Sequence, residues 1–191
     1  MKRLLCALLL FASFLGFGQK PESLQKIFRV NLISPGVELE TPVSARSTLS
    51  INPGVGLQGA YNNLSYTYNT GVKKTSNPLT YYIAPFFDLS YKTYYNRDRR
   101  QVKGKSLAFN SGNYWAIRLL SNFKELEAHN MARTDHTDFA FGPTWGLQRA
   151  YGKIHLLFDM GPVYYFDTKG NNGFFPIMLQ LNLGFDLKKW K

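Results

Sequence analysis

Large apolar residues recur at every second position along most of the chain, a period that suits β-strands with one greasy and one polar face and does not suit helices. From Ser47 to Tyr61, Leu49, Ile51, Pro53, Val55 and Leu57 share one face, opposite Ser50, Asn52, Gly54, Gly56 and Gln58. From Pro78 to Tyr95, Leu79, Tyr81, Ile83, Pro85, Phe87, Leu89 and Tyr91 oppose Thr80, Ala84, Asp88 and Ser90. Further runs follow the same rule. Trp115, Ile117 and Leu119 oppose Tyr114, Ala116 and Arg118; Phe139, Phe141, Pro143, Trp145 and Leu147 share a side; Ile154, Leu156, Phe158 and Met160 oppose His155, Asp159 and Gly161. In the last run Phe175, Ile177, Leu179, Leu181, Leu183, Phe185 and Leu187 oppose Gln180, Asn182, Gly184 and Asp186. A greasy face of this length, with aromatic residues at its ends, is the pattern of strands facing lipid outward and a filled lumen inward. Tyr81 and Tyr91 are ten residues apart on one run. At ~3.3 Å per residue and a tilt of about 40° this is roughly 25 Å of height, the thickness of an outer-membrane apolar band.

The N-terminus reads as an export signal. Lys2 and Arg3 precede an apolar run from Leu4 to Phe17, and Gly16 and Gly18 provide small residues before Gln19. The expected organisation is a signal peptide over 1–18 and one barrel domain over 19–191. The single cysteine, Cys6, falls inside the signal, so the exported part would have no disulfide or thiol chemistry. Loss of Lys2 and Arg3 lowers the formal charge from +11 to +9, which favours anionic headgroups as partners, whereas nucleic acid is the weaker candidate for an exported chain. Beyond the signal no run of 18 or more apolar residues could form a spanning helix. The aromatic content of 16% is concentrated on the alternating runs, as interfacial girdles require.

The strand count turns on the first run. Its apolar residues change parity from Phe28, Val30 and Leu32 to Val37 and Leu39, so a bulge or a turn lies near Ser34, Pro35 and Gly36. A bulge would give seven strands. A turn gives eight and returns both termini to one side, and eight is preferred although strands this short fall below the roughly 9 to 11 residues of a typical span. Short connections near Val43 to Arg46 and Ala150 to Gly152 alternate with long ones at Asn62 to Asn77 and Ser121 to Thr137, which would place the short ones on the periplasmic side. The connection Lys92 to Ser106 is long for that side and is the most basic segment. There Lys92, Arg97, Arg99, Arg100, Lys103 and Lys105 stand against Asp98 and read as a membrane-surface turn. Tyr81, Tyr91, Tyr94 and Tyr95 read as girdle aromatics.

Inward positions carry charge. Glu38, Glu40, Asp88, Arg118, His155, Asp159 and Asp186 would cancel one another inside a barrel whose eight strands leave room only for side chains, so a conducting pore is not expected. His155 and Asp159 are roughly 13 Å apart along one strand, too far for an acid–base pair. A metal site among His129, Asp135, His136, Glu125 and Glu127 lacks recognised ligand spacing, so no metal or cofactor is expected.

Four segments carry a family likeness: Arg29 to Glu40 (RVNLISPGVELE), Tyr94 to Arg100 (YYNRDRR) with Lys103 to Lys105 (KGK), Asn110 to Tyr114 (NSGNY), and Gly142 to Arg149 (GPTWGLQR). Together they resemble a family of small outer-membrane β-barrel proteins common in Bacteroidetes, over most of the exported chain, and a signal ending in Phe-Gly-Gln is similar to export signals of that group. The resemblance implies the fold and location and brings no catalytic residue. An alternating last strand with Trp190 also resembles the C-terminal signal through which the barrel-assembly machinery recognises its clients.

The expectation is therefore an all-β, antiparallel, up-and-down transmembrane β-barrel of eight strands in the outer membrane of a Gram-negative cell. Its role would be structural or in cell-envelope interaction, with lipid headgroups of phospholipid or lipopolysaccharide as partners and specificity in the outer loops. One rival is an outer-membrane lipid-modifying enzyme of deacylase or acyltransferase type. It would need a Ser and a His in contact at one rim, and none of His129, His136 or His155 stands in the His-x-Ser arrangement of the lipid A deacylases. The other rival is a soluble periplasmic carrier of a hydrophobic ligand, with the greasy face turned inward.

Overall fold

The structure, a computed structural model, describes residues 23–60, 80–129 and 136–190. The expected signal, the loop 62–77, Tyr61, Pro78, Leu79, Asp135 and Lys191 lie outside the described residues. Nine strands form one antiparallel sheet: β1 Lys26–Asn31, β2 Gly36–Pro42, β3 Ser47–Ala60, β4 Thr80–Tyr94, β5 Gly112–Asn122, β6 Glu127–His129, β7 Asp138–Tyr151, β8 Ile154–Asp167 and β9 Asn172–Trp190. The ring runs β1-β2-β3-β4-β5-β7-β8-β9, each strand antiparallel to the next, and β9 pairs back with β1, so the sheet closes on itself as a ring of eight. The ninth strand, β6, pairs with Tyr81 to Ile83 of β4, on the edge that β5 occupies further down. It continues β5 across an insertion in which Phe123 and Leu126 donate to the carbonyls of Pro85 and Ile83.

The parity change near Pro35 is a turn. Residues 32–35 connect β1 to β2, whose register runs from Ile27 opposite Glu40 to Asn31 opposite Gly36. The start of β1 and the end of β9 consequently lie at one end of the ring, here called the lower end, with the turns 43–46 and 152–153. Gly152 closes the second turn at φ 64°, a conformation that costs glycine little. The lower end also holds the segment after β4, which contains a six-residue helix, α1 (Arg97–Val102), and a 3-10 turn at Ala108–Asn110.

Burial follows the two-residue period, in an inverted sense. Outward residues such as Leu57, Trp115, Ile117, Phe141, Ile177, Leu179 and Leu181 are exposed, while the interior buries more than twice as many polar or charged side chains as apolar ones among the described residues. Small residues let the strands close. A side chain on Gly142 would strike the Pro162 carbonyl of β8, and one on Gly161 the Pro143 carbonyl of β7. Opposed Gly-Pro pairs therefore interrupt the ladder between Phe141–Tyr164 and Trp145–Met160.

Two features of the alternation matter below. The β8–β9 register shifts between Gly161 and Val163, so that Val163 faces Phe175 while Gly161 faces Met178. Cross-strand partners share a face. Phe175 thus turns inward with Val163, whereas continued alternation along β9 puts it outward with Ile177. The second is the end of β4, where alternation continues to Tyr94, so that Asp88, Ser90, Lys92 and Tyr94 all face inward.

Candidate functional site

The interior of the lower half is a fully buried charge network centred on a residue that the sequence reading passes over. Arg29 alternates against Phe28 and Val30 in β1, and its guanidinium is completely enclosed. It donates to Glu38 at 3.0 Å, to Glu40 at 2.6 Å and to Asp186 at 2.7 Å, which ties β1 to both of its neighbours, β2 and β9. A second cation meets one of these acids: Lys92 of β4 lies 3.0 Å from Glu38 and 5.4 Å from the centre of the Tyr114 ring. Tyr94 donates to Glu40 at 2.9 Å, and Ser50 donates to Glu38.

Lys92 and Tyr94 therefore leave the surface groups to which the sequence reading assigns them. Each lies in strand β4, with 3% and 1% of its surface exposed, because the strand extends three residues further than a turn beginning at Lys92 allows. Arg97 is also buried and donates to the carbonyls of Leu107 and Ser111 at 3.4 Å, holding the lower segment together from within. Arg99, Lys103 and Lys105 are exposed around α1, and Arg100 is half-buried, donating to the Ser106 carbonyl at 2.8 Å. Partial burial pulls the Arg100 guanidinium below its ordinary value, opposed by the nearby Tyr151. Tyr91 and Tyr95 are exposed on the outer face, and Tyr81 is half-buried there, stacked on His129 at 5.1 Å.

The remaining inward charges form a second layer. Arg118 makes a two-pronged pair with Asp88, at 2.9 and 2.8 Å, and Asp159 accepts from Tyr114 at 2.9 Å and from Thr144 at 3.1 Å. Tyr114 fits because Gly146 opposite has no side chain; a Cβ there would overlap the phenol ring. Between the two layers lies a cavity of about 20 Å³, lined by Ser50, Asn52, Ser90, Arg118, Asp159 and Asn182 among others. Such a space holds about one water and no larger ligand. His155 is wholly buried with Nδ1 3.8 Å from Asp186, and neither ring nitrogen makes a hydrogen bond among the described residues. It is not paired with Asp159.

The lower end is closed by the chain itself. The 3-10 turn folds across it, the Phe109 carbonyl accepting from Arg29 and Gln148, and Asn110 donating to Glu40 and to the Gln25 carbonyl, each at 2.9 Å. Phe109 and Asn110 both adopt positive φ, 50° and 57°, a conformation rare for residues other than glycine. Leu24, Tyr94, Tyr114 and Ala116 pack as a small apolar cluster in the lower interior.

In the upper half the lining changes. Ala84, Phe86, Leu120 and Val163 are buried inward, with Asn122 and Asp138 hydrogen-bonded at 2.7 Å. Of the acidic and histidine residues considered for metal, His136 lies 3.9 Å from Glu125, and among the described residues no group of three or more such ligands occurs. Comparison with protein families, with curated proteins and with solved structures finds no match to the chain.

Proposed function

We propose that the protein is a membrane-spanning β-barrel of the outer membrane that serves as a structural, envelope-contacting element. The observation that carries this reading is the inverted distribution of its side chains, with ion pairs and amides inside and a continuous belt of Leu, Ile, Phe and Trp outside. A soluble carrier of a hydrophobic ligand has the opposite arrangement. Burying charge is tolerable where each group finds a partner, and Arg29, Lys92 and Arg118 do so within a closed ring whose lower end the 3-10 turn crosses. The belt ends in aromatics, among them Tyr95 and Trp145, which hydrogen-bond to each other at 2.8 Å at the lower rim. Such an amphipathic rim suits the headgroup boundary.

The lower end supplies the contact. Lys26, Arg46, Arg99, Lys103, Lys105, Lys153, Lys188 and Lys189 are exposed there, and Asp98, paired with Arg46 at 2.8 Å, is the exposed acid described on the same end. Lys26 and Lys188 lie over the Trp190 ring, which keeps them near the boundary. Anionic headgroups or other envelope polyanions are the matching partners. In vesicles with and without anionic phospholipid, the triple variant Arg99→Gln, Lys103→Gln, Lys105→Gln should lower the preference for the anionic ones by about 1 kcal/mol per charge at low salt. The difference should fade as salt is raised. Equal preference in wild type and variant at low salt would remove the contact role while leaving the barrel intact.

A further inference from the structure

We propose that the upper interior opens sideways between β3 and β9 and receives an acyl chain of a bilayer lipid; the inference rests on the membrane-spanning reading. The opening follows from the register. Pairing of β2 with β3 ends at Gly36–Gly54, and pairing of β1 with β9 ends at Asn31–Gly184, with one further bond at each side, Val55 to the Pro35 carbonyl and Leu32 to the Leu183 carbonyl. Above that level β3 continues to Ala60 and β9 begins at Asn172. Among the described residues no strand pairs with the facing edges of these two segments, which are bonded only to β4 and β8 on their other sides. Among the described residues the ring thus lacks two strands above the turn, which would span roughly 14 Å at ~4.8 Å per strand spacing.

Exposure of the lining marks the same place. Val163 and Phe175 are register partners and face the same way, yet Val163 is 3% exposed and Phe175 51%. The difference is their position: Val163 has walls on both sides, and Phe175 stands on the strand that borders the gap. Further down β9 the inward residues Asn182 and Asp186 are sealed, and across the interior Ala84, Phe86 and Leu120 are sealed too. On the adjacent strand the Phe86 ring covers its register partner Gly54, just inside the hairpin tip.

The occupant is argued from continuity with the outer belt. The tip below the opening is apolar, with Leu32 and Ile33 each half exposed, and its rims carry Val55 and Leu57 on one side and Ile177, Leu179 and Leu181 on the other, all exposed. The opening therefore lies at the depth of the lipid-facing surface. Inside it Phe175, Met178, Val163 and Phe86 offer apolar surface beside the hydrogen-bonded Asn122–Asp138 pair. The edge N–H groups of β3 and β9 can donate to the ester carbonyls of an acyl lipid, which a bare hydrocarbon would leave without partners.

The test uses nitroxide labels on single cysteines in a Cys6→Ser background, reconstituted in phospholipid vesicles, with oxygen as the lipid-phase and a nickel chelate as the water-phase relaxant. Leu179→Cys reports the outer belt, Lys169→Cys the upper turn, and Phe175→Cys the opening. The expected result is that position 175 matches position 179, oxygen-accessible and nickel-protected, whereas position 169 is open to nickel. A phospholipid with a mid-chain alkyl diazirine should then cross-link to Met178 or Val163 in the unsubstituted chain. Nickel access at 175 with 179 still lipid-exposed would overturn the opening and leave the barrel reading standing, and exclusion of both reagents at 175 would do the same by showing that protein covers the gap. Cross-linking by a free diazirine fatty acid but not by the phospholipid would overturn the bilayer as source. Nickel access at 179 would remove the membrane reading and the inference with it.

Discussion

Arg29 illustrates how one side chain can hold a barrel together. Three carboxylates from two neighbouring strands converge on it in a space without water access, so its loss leaves acidic groups buried and close together. Arg29→Met should destabilise the protein by about 3–5 kcal/mol, the range for removing one partner of a buried ion pair, read as a lower urea midpoint by tryptophan fluorescence. Gly146 is a steric counterpart. Its place is taken by the Tyr114 ring, so Gly146→Ala should cost roughly 1–3 kcal/mol from overpacking, and adding Tyr114→Phe should not restore it, because the clash involves ring carbons as well as the hydroxyl. Parity alone was enough to place Glu38, Glu40, Asp88, Arg118, His155, Asp159 and Asp186 on the inward face. The same parity, carried through Ile27 and Asn31, would have found Arg29, and carried past Ser90 it would have found Lys92 and Tyr94. Those three were hidden because charge and aromatic character point to surface and girdle when the extent of the strand is unknown.

At the scale of elements, the long strands were legible and their irregularities were not. Alternation identifies β3, β4, β5, β7 and β8 because a slip of one residue would put a whole greasy face into the charged interior. The β8–β9 shift near Pro176 inverts only a few residues, and nothing in the spacing of apolar residues distinguishes Phe175 inward from Phe175 outward. Composition marks the segment after β4 only as a basic membrane-surface turn, whereas it folds a helix and a 3-10 turn against the lower end through hydrogen bonds from Arg29, Gln148 and Asn110. Loop composition does not reveal backbone carbonyls as partners for buried side chains. The β1–β2 hairpin is the element on which the shape of the wall depends, since its tip ends the ring at Leu32 and Ile33. If that tip lies in hydrocarbon, Ile33→Lys should destabilise the reconstituted protein by about 2–4 kcal/mol, the cost of a lysine near the bilayer midplane, and much less if the tip lies in the interface. Urea unfolding from vesicles distinguishes the two.

As a whole molecule the protein is a ring with three distinct zones: an exposed basic end crossed by the 3-10 turn, a charged lower interior, and an upper interior lined by Ala84, Phe86, Leu120 and Val163 with the Asn122–Asp138 pair. The first two suit an element anchored by headgroups, since the buried charges pair with one another and the exposed cations stand outside the network. The zones also explain why the fold could be read and the ligand could not. A two-residue period states which residues face inward, while the depth at which the wall stops depends on hydrogen-bond register between strands distant in sequence. The central claim is that the ring is closed, with its greasy face in lipid. Its most direct test is gel migration of the protein extracted in detergent from isolated outer membranes, compared before and after boiling. The account predicts membrane-fraction material that migrates faster unboiled than boiled. Recovery as a soluble periplasmic protein, with no change in migration on boiling, would contradict it.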